Sequence, residues 1–187
     1  MRVGLLIFDD VEEMDFVGPL EVFGVASNLT KRLEVTTISK NGEPIRCRHG
    51  LRVQPDHSFS NCSLVDVLIV PGGRGAREGA MHDPEILQFI RAQSLKAHIA
   101  SVCTGALILA EAGLLDGHKA TTHHEHIDAL QRYTKIKVVT GVRYISEESV
   151  SSSAGISAGI DLALEILGRN FDEEVATKVR DEMEYSK

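Results

Sequence analysis

The chain has 187 residues, with 27 acidic side chains against 20 Lys and Arg and a formal net charge of −7. That length suits one domain with a sizeable core, and the acidic balance argues against a nucleic-acid partner, since basic residues gather only at Lys31-Arg32 and the scattered Arg46, Arg48 and Arg52. No apolar run approaches a membrane helix. Residues 3–8, followed at once by Asp9-Asp10, are too short for the apolar part of a secretion signal, so no membrane partner is expected.

Residues 2–8 form a continuous apolar run and predict a strand buried on both faces, as in a parallel sheet. An acidic loop follows over 9–14. A helix is predicted over 15–28, with Gly18-Pro19 in or before its first turn and Phe16, Leu20, Phe23 and Val25 as core positions. Residues 33–39 alternate as a second strand. Residues 45–47 and 51–53 flank His49-Gly50 as a small hairpin. The apolar run 65–70 predicts a strand that ends at Pro71-Gly72-Gly73, followed by a loop to Arg77. Asp83-Pro84 then begin a helix to about Gln93, with Asp83 as N-cap and Pro84 at its first position.

Residues 98–102 form a strand, Thr104-Gly105 a sharp turn, and residues 106–112 a helix. Short strands are predicted at 119–122, 135–140, 142–145 and 150–152, with a short helix at 127–133. Helices at 154–167 and 172–183 close the chain. Strands alternating with helices imply a single α/β domain, 1–187, with a mostly parallel central sheet and helices on both faces. Ligands of such sheets bind beyond the carboxyl ends of the strands.

Three cysteines, Cys47, Cys62 and Cys103, make an odd set without a C-x-x-C spacing. A disulfide framework or a cysteine zinc site is not expected, and a reducing cytoplasm fits best. Cys103 stands apart because it sits at the carboxyl end of a strand and the amino end of a helix. There the helix dipole and free N–H groups would lower the thiol pKa and populate the nucleophilic thiolate. Gly72 and Gly73 end the preceding strand, where exposed N–H groups could form an oxyanion site facing Cys103; a plain tight turn is the alternative. Asp15 could be a general acid or base tuned by burial, or only a cap for its helix. Glu21, further along that helix, could be a second carboxylate at the site or an ordinary hydrogen-bonding residue. Of His123, His124 and His126, His123 is the candidate to reach the thiol. A metal is not expected there, because the spacing is not H-E-x-x-H and adjacent histidines on a strand end point to opposite sides.

The segments 4–8, 15–23, 66–73, Ser101-Val102-Cys103-Thr104-Gly105-Ala106, 120–123 and 157–163 together resemble the PfpI/ThiJ superfamily, related in fold to class I glutamine amidotransferases. Residues 15–23 and 101–105 look most like its isonitrile hydratase branch, and also like the amidase-like domain of certain AraC-type regulators. The resemblance implies a flavodoxin-like three-layer sandwich, a free-standing form, a homodimer and a small-molecule substrate with no cofactor. It also implies Cys103 as nucleophile on an elbow, Asp15 as its acidic partner, Thr104 as a neighbouring hydroxyl, and Gly72 and Gly73 as N–H donors. Proteases and amidotransferases of the fold carry a histidine right after the cysteine or in a defined triad, and this chain has Thr104 at the position after Cys103. The expected activity is therefore hydration of a small electrophile such as an isonitrile. A glyoxalase or deglycase acting on α-oxoaldehydes and a non-enzymatic cysteine redox sensor are the alternatives.

Overall fold

The computed structural model describes residues 1–185; Ser186 and Lys187, the end of the expected single domain, lie outside the described residues. Five central strands form the parallel body of a seven-stranded sheet: β1 (Arg2–Leu6), β2 (Glu34–Ser39), β6 (Val67–Val70), β7 (His98–Val102) and β11 (Val150–Ser153). Its order is β10-β11-β7-β6-β1-β2-β5, with β5 (His57–Ser58) parallel at one edge and β10 (Tyr144–Ser146) antiparallel at the other. Two small ribbons stand apart: β3 (Ile45–Arg46) with β4 (Arg52–Val53), and β8 (Lys119–Ala120) with β9 (Lys137–Val138).

The fold is the expected flavodoxin-like sandwich. Helices α1 (Glu13–Thr30), α6 (Ala158–Asn170) and α7 (Glu173–Glu182) pack together on one side. The other side carries α2 (Arg74–Glu78), α3 (Pro84–Ser94), α4 (Gly105–Glu111) and α5 (Ile127–Gln131). The apolar runs that predicted β1, β6 and β7 are buried residue after residue, as a doubly covered sheet requires. Phe16, Phe23, Leu5, Ile69 and Leu109 are among the largest fully buried side chains; each stabilises the fold by about 1.5–3 kcal/mol through its burial. No described helix is long and apolar enough to cross a membrane.

Several boundaries differ from expectation for local reasons. Pro19 lies inside α1, not in its first turn, and removes the N–H that would bond the Asp15 carbonyl. The helix continues because Gly18-Pro19 packs against α6: a Cβ on Gly18 would meet Ile160 at 3.0 Å, and one on Gly159 would lie 3.6 Å from the Pro19 ring. The expected loop 71–77 instead enters α2 at Arg74, and a 3-10 turn follows at Ala80–His82. Helix α6 begins at Ala158, four residues late, because Ile156 takes a left-handed φ of 49° that no helix admits. Asp83 caps α3 as expected, accepting the Glu85 N–H at 2.9 Å.

Candidate active site

The carboxyl ends of β1, β6 and β7 converge, and each delivers one part of the site. At the end of β7 the chain turns through Cys103, which is 7% exposed and holds a φ of 56°. A non-glycine residue in that region is uncommon and signals a backbone held by its surroundings. Here the Cys103 N–H donates to the Ala154 carbonyl at 2.8 Å, and the Cys103 carbonyl accepts the buried Thr122 hydroxyl at 2.8 Å. Gly105 completes the elbow. A Cβ there would lie 2.1 Å from the Val70 carbonyl oxygen, so only glycine lets α4 start this close to β6. Gly105→Ala is expected to cost about 3 kcal/mol and to lower Tm by roughly 10 °C in a thermal melt, because the obstacle is backbone that cannot rotate away.

Asp15 arrives from the first turn of α1 and is fully buried. Its Oδ2 accepts the Gly72 N–H at 3.0 Å, while its Oδ1 is buried with no hydrogen-bond partner among the described residues. Burial pushes its pKa up to about 7, opposed by the Gly72 N–H and supported by the Glu12 charge. The Cys103 thiol and the backbone N–H of Ile156 also act on this carboxyl as neighbours. The acid and the thiol are therefore brought together, as expected from the resemblance.

The expected lowering of the thiol pKa is reversed. Burial, and then the Asp15 charge, push Cys103 up to about 12, against a smaller opposite effect of the Thr104 N–H and hydroxyl. A short helix end in a dry pocket does not offset desolvation and a neighbouring carboxylate. Protonating Asp15 removes the second of these, so the ionisation of each group depends on the state of the other.

Gly72 and Gly73 do not present free donors as expected. The Gly72 N–H is taken by Asp15, and the Gly73 N–H donates to the Thr104 Oγ1 at 3.0 Å. Thr104 is fully buried and braces the glycine turn against the elbow. A Cβ on Gly72 would sit 2.5 Å from the Thr104 nitrogen and 2.9 Å from Asp15 Oδ2, so the glycine is needed for closeness. Among the described residues, the N–H groups left without a partner at the elbow are those of Thr104 and Gly105. These, rather than the glycine turn, are placed to receive negative charge near the sulfur.

Glu21 is not part of this arrangement. It lies six residues beyond Asp15, about 240° around the helix at about 100° per residue, and is exposed. His123 borders the site without bonding the thiol. Its ring packs on Gly155, where a Cβ would come within 2.3 Å, and its Nδ1 accepts the Glu125 N–H at 3.3 Å.

Two contributors carried no sequence signal. Ile156, a β-branched residue at positive φ, brings its backbone N–H near enough to Asp15 to lower that carboxyl's pKa slightly. Glu12 lay hidden in the acidic loop. It is 7% exposed, and its carboxylate is held by Arg48 at 2.9 Å and by His49 at 3.1 Å. Because its charge raises Asp15, Glu12→Gln is expected to move the acid limb of an activity–pH profile to lower pH, measured as kcat/KM against pH.

Residues 1–169 match the DJ-1/PfpI family. The chain is 34% identical over 187 residues to isonitrile hydratase from Pseudomonas putida, covering all of this chain and 79% of that protein. It is 29% identical over 189 residues to the HTH-type transcriptional regulator GbdR of Pseudomonas aeruginosa, but spans only 51% of that regulator's length. The crystal structure of a ThiJ/PfpI family protein from Pseudomonas syringae superposes with a TM-score of 0.90 at 32% identity, covering 100% of this chain and 75% of the other. An elbow cysteine, a buried acid beside it and a match over nearly the whole chain agree: this protein belongs to the DJ-1/PfpI family.

Proposed function

We propose that the protein hydrates isonitriles to N-substituted formamides through covalent catalysis by Cys103. The observation that carries this reading is the buried Asp15–Cys103 pair, an acid that titrates near neutral pH beside a protonated thiol, with no histidine among the described residues bonded to that thiol. An isonitrile carbon needs a nucleophile and a proton at the same atom, and this pair supplies both.

Sγ bonds to the terminal carbon of R–N≡C as its proton passes to the Asp15 carboxylate. Asp15 then delivers that proton to the same carbon, leaving the thioimidate R–N=CH–S–Cys103. Water adds to this carbon, with one of its protons taken by Asp15 and passed to nitrogen. The tetrahedral adduct R–NH–CH(OH)–S collapses, its hydroxyl proton leaving as the C–S bond breaks. The products are R–NH–CHO and the sulfur of Cys103, which recovers a proton. The sum is isonitrile plus water giving formamide. The Thr104 and Gly105 N–H groups stabilise the charge that develops on the tetrahedral oxygen, while Gly72, Gly73 and Thr104 hold the acid and elbow in register.

The isonitrile hydratase relative supports the substrate class, and the absence of a histidine after Cys103 supports hydration over peptide cleavage. The purified protein is expected to convert a simple alkyl isonitrile to its formamide, read by chromatography of the product. Turnover of methylglyoxal with no formamide formed from the isonitrile would replace this reading with the glyoxalase alternative.

A further inference from the structure

The sequence predicts divergent histidines over residues 123–126, at a strand end. The strand stops at Ala120, and His124–His126 form a 3-10 turn closed by the His126 N–H on the His123 carbonyl at 2.8 Å. In a 3-10 turn side chains three apart lie over one another. His123 and His126 therefore share a side, with ring centroids 6.0 Å apart, and the Glu125 carboxylate reaches the same group. One donor atom from each of His123, Glu125 and His126 lies within 4.8 Å of the others. Ligands around one zinc-sized ion at about 2.1 Å can be at most about 4.2 Å apart, so small side-chain rotations close the set. His124 packs against His123 with ring centroids 4.3 Å apart and planes tilted by 32°.

We propose that His123, Glu125 and His126 form a binding site for a divalent transition-metal ion of the zinc class. Two imidazoles and one carboxylate match that class, whereas magnesium and calcium prefer oxygen donors alone. Three protein ligands leave at least one coordination position open. The site also touches both segments that frame the thiol. Thr122, next to His123, bonds the Cys103 carbonyl, and the His123 ring packs on Gly155, one residue before Ile156. An ion held here would tie those two segments together beside the nucleophile.

The test titrates the metal-free full chain with Co²⁺ as a spectroscopic probe, followed by displacement with Zn²⁺. His123 is engaged in packing, so the variants are H126A and E125Q, at a half-buried and an exposed position, with melting curves to confirm their fold. The expected result is saturation at about one equivalent, with affinity reduced at least about tenfold in each variant, the scale at which even outer-shell changes act on metal sites. Binding is retained in C103S and in H49A, which remove the thiol and the separate Glu12–Glu13–His49 cluster as ligands. Absence of saturable binding, undiminished binding in H126A or E125Q, or loss of binding in C103S or H49A overturns the proposal.

Discussion

Cys103→Ser or Cys103→Ala lowers kcat/KM for an isonitrile by on the order of 10³-fold or more, with the fold unchanged. The expectation follows from position. Among the described residues the sulfur is the one thiol at the joined ends of β6 and β7, the backbone is locked there by bonds to Ala154 and Thr122, and Asp15 lies beside it. Losing the residue that forms the covalent bond removes the whole two-step route, as happens when the nucleophile of a catalytic unit is deleted. Cys47 and Cys62 provide the internal control. Cys47 is buried within the apolar core and its thiol is pushed up to about 11 by burial, while Cys62 bonds its neighbour's carbonyl. Their serine variants keep activity near that of the parent. Retention of more than a tenth of the rate in C103S would remove covalent catalysis from the account.

Asp15→Asn has two separable consequences. In activity, it lowers kcat/KM by about 10²–10⁴, the usual contribution of a positioned acid–base group. It also removes the break near pH 7 from the pH profile. The parent needs one proton fewer than the fully protonated thiol–acid pair. Its kcat/KM therefore rises about tenfold per pH unit up to about pH 7 and is flat above, while the variant shows no break near pH 7 and keeps rising with pH as the unassisted thiol ionises. In stability, the sign is opposite. The folded pKa of about 7 lies above the ordinary 3.8, so burial favours the neutral acid. Its full contribution is present below pH 4 and is lost as pH rises through 7. At pH 8 the ionised carboxyl costs at most about 4 kcal/mol, and Asn, which still offers an oxygen to the Gly72 N–H, avoids that cost. Thermal melts should then show D15N exceeding the parent by up to roughly 10 °C at pH 8 and by little at pH 4. Equal melting points at pH 8 would mean that Asp15 is not held against its charge. A stabilising change that destroys activity is the signature of a strained functional group.

The sheet was legible because its central strands are buried on both faces and so read as unbroken apolar runs, from Val3 to Leu6 and from Val67 to Val70. The elbow was legible from composition, since a cysteine between an apolar strand and Gly105-Ala106 has few other uses. Asp15 as its partner rested on resemblance, because no spacing rule joins residues 88 positions apart. What escaped were features decided by competition. Whether Gly72 and Gly73 have free N–H groups depends on Asp15 and Thr104 arriving first. Whether the thiol is acidic depends on burial outweighing a helix end. Ile156 gave no sign of its left-handed backbone, since nothing in a β-branched residue favours that region. The convergence of His123 and His126 turned on where a short strand stopped, the least legible property of any element.

The central claim is a covalent bond between Cys103 and the isonitrile carbon. Rapid quenching of the protein with excess alkyl isonitrile, followed by intact-mass and peptide mass spectrometry, tests it directly. The expected result is an adduct heavier by one isonitrile, located on the Cys103 peptide, formed within a turnover and absent from C103S. Formamide production that continues in C103S, or an adduct found only on Cys47 or Cys62, would contradict it.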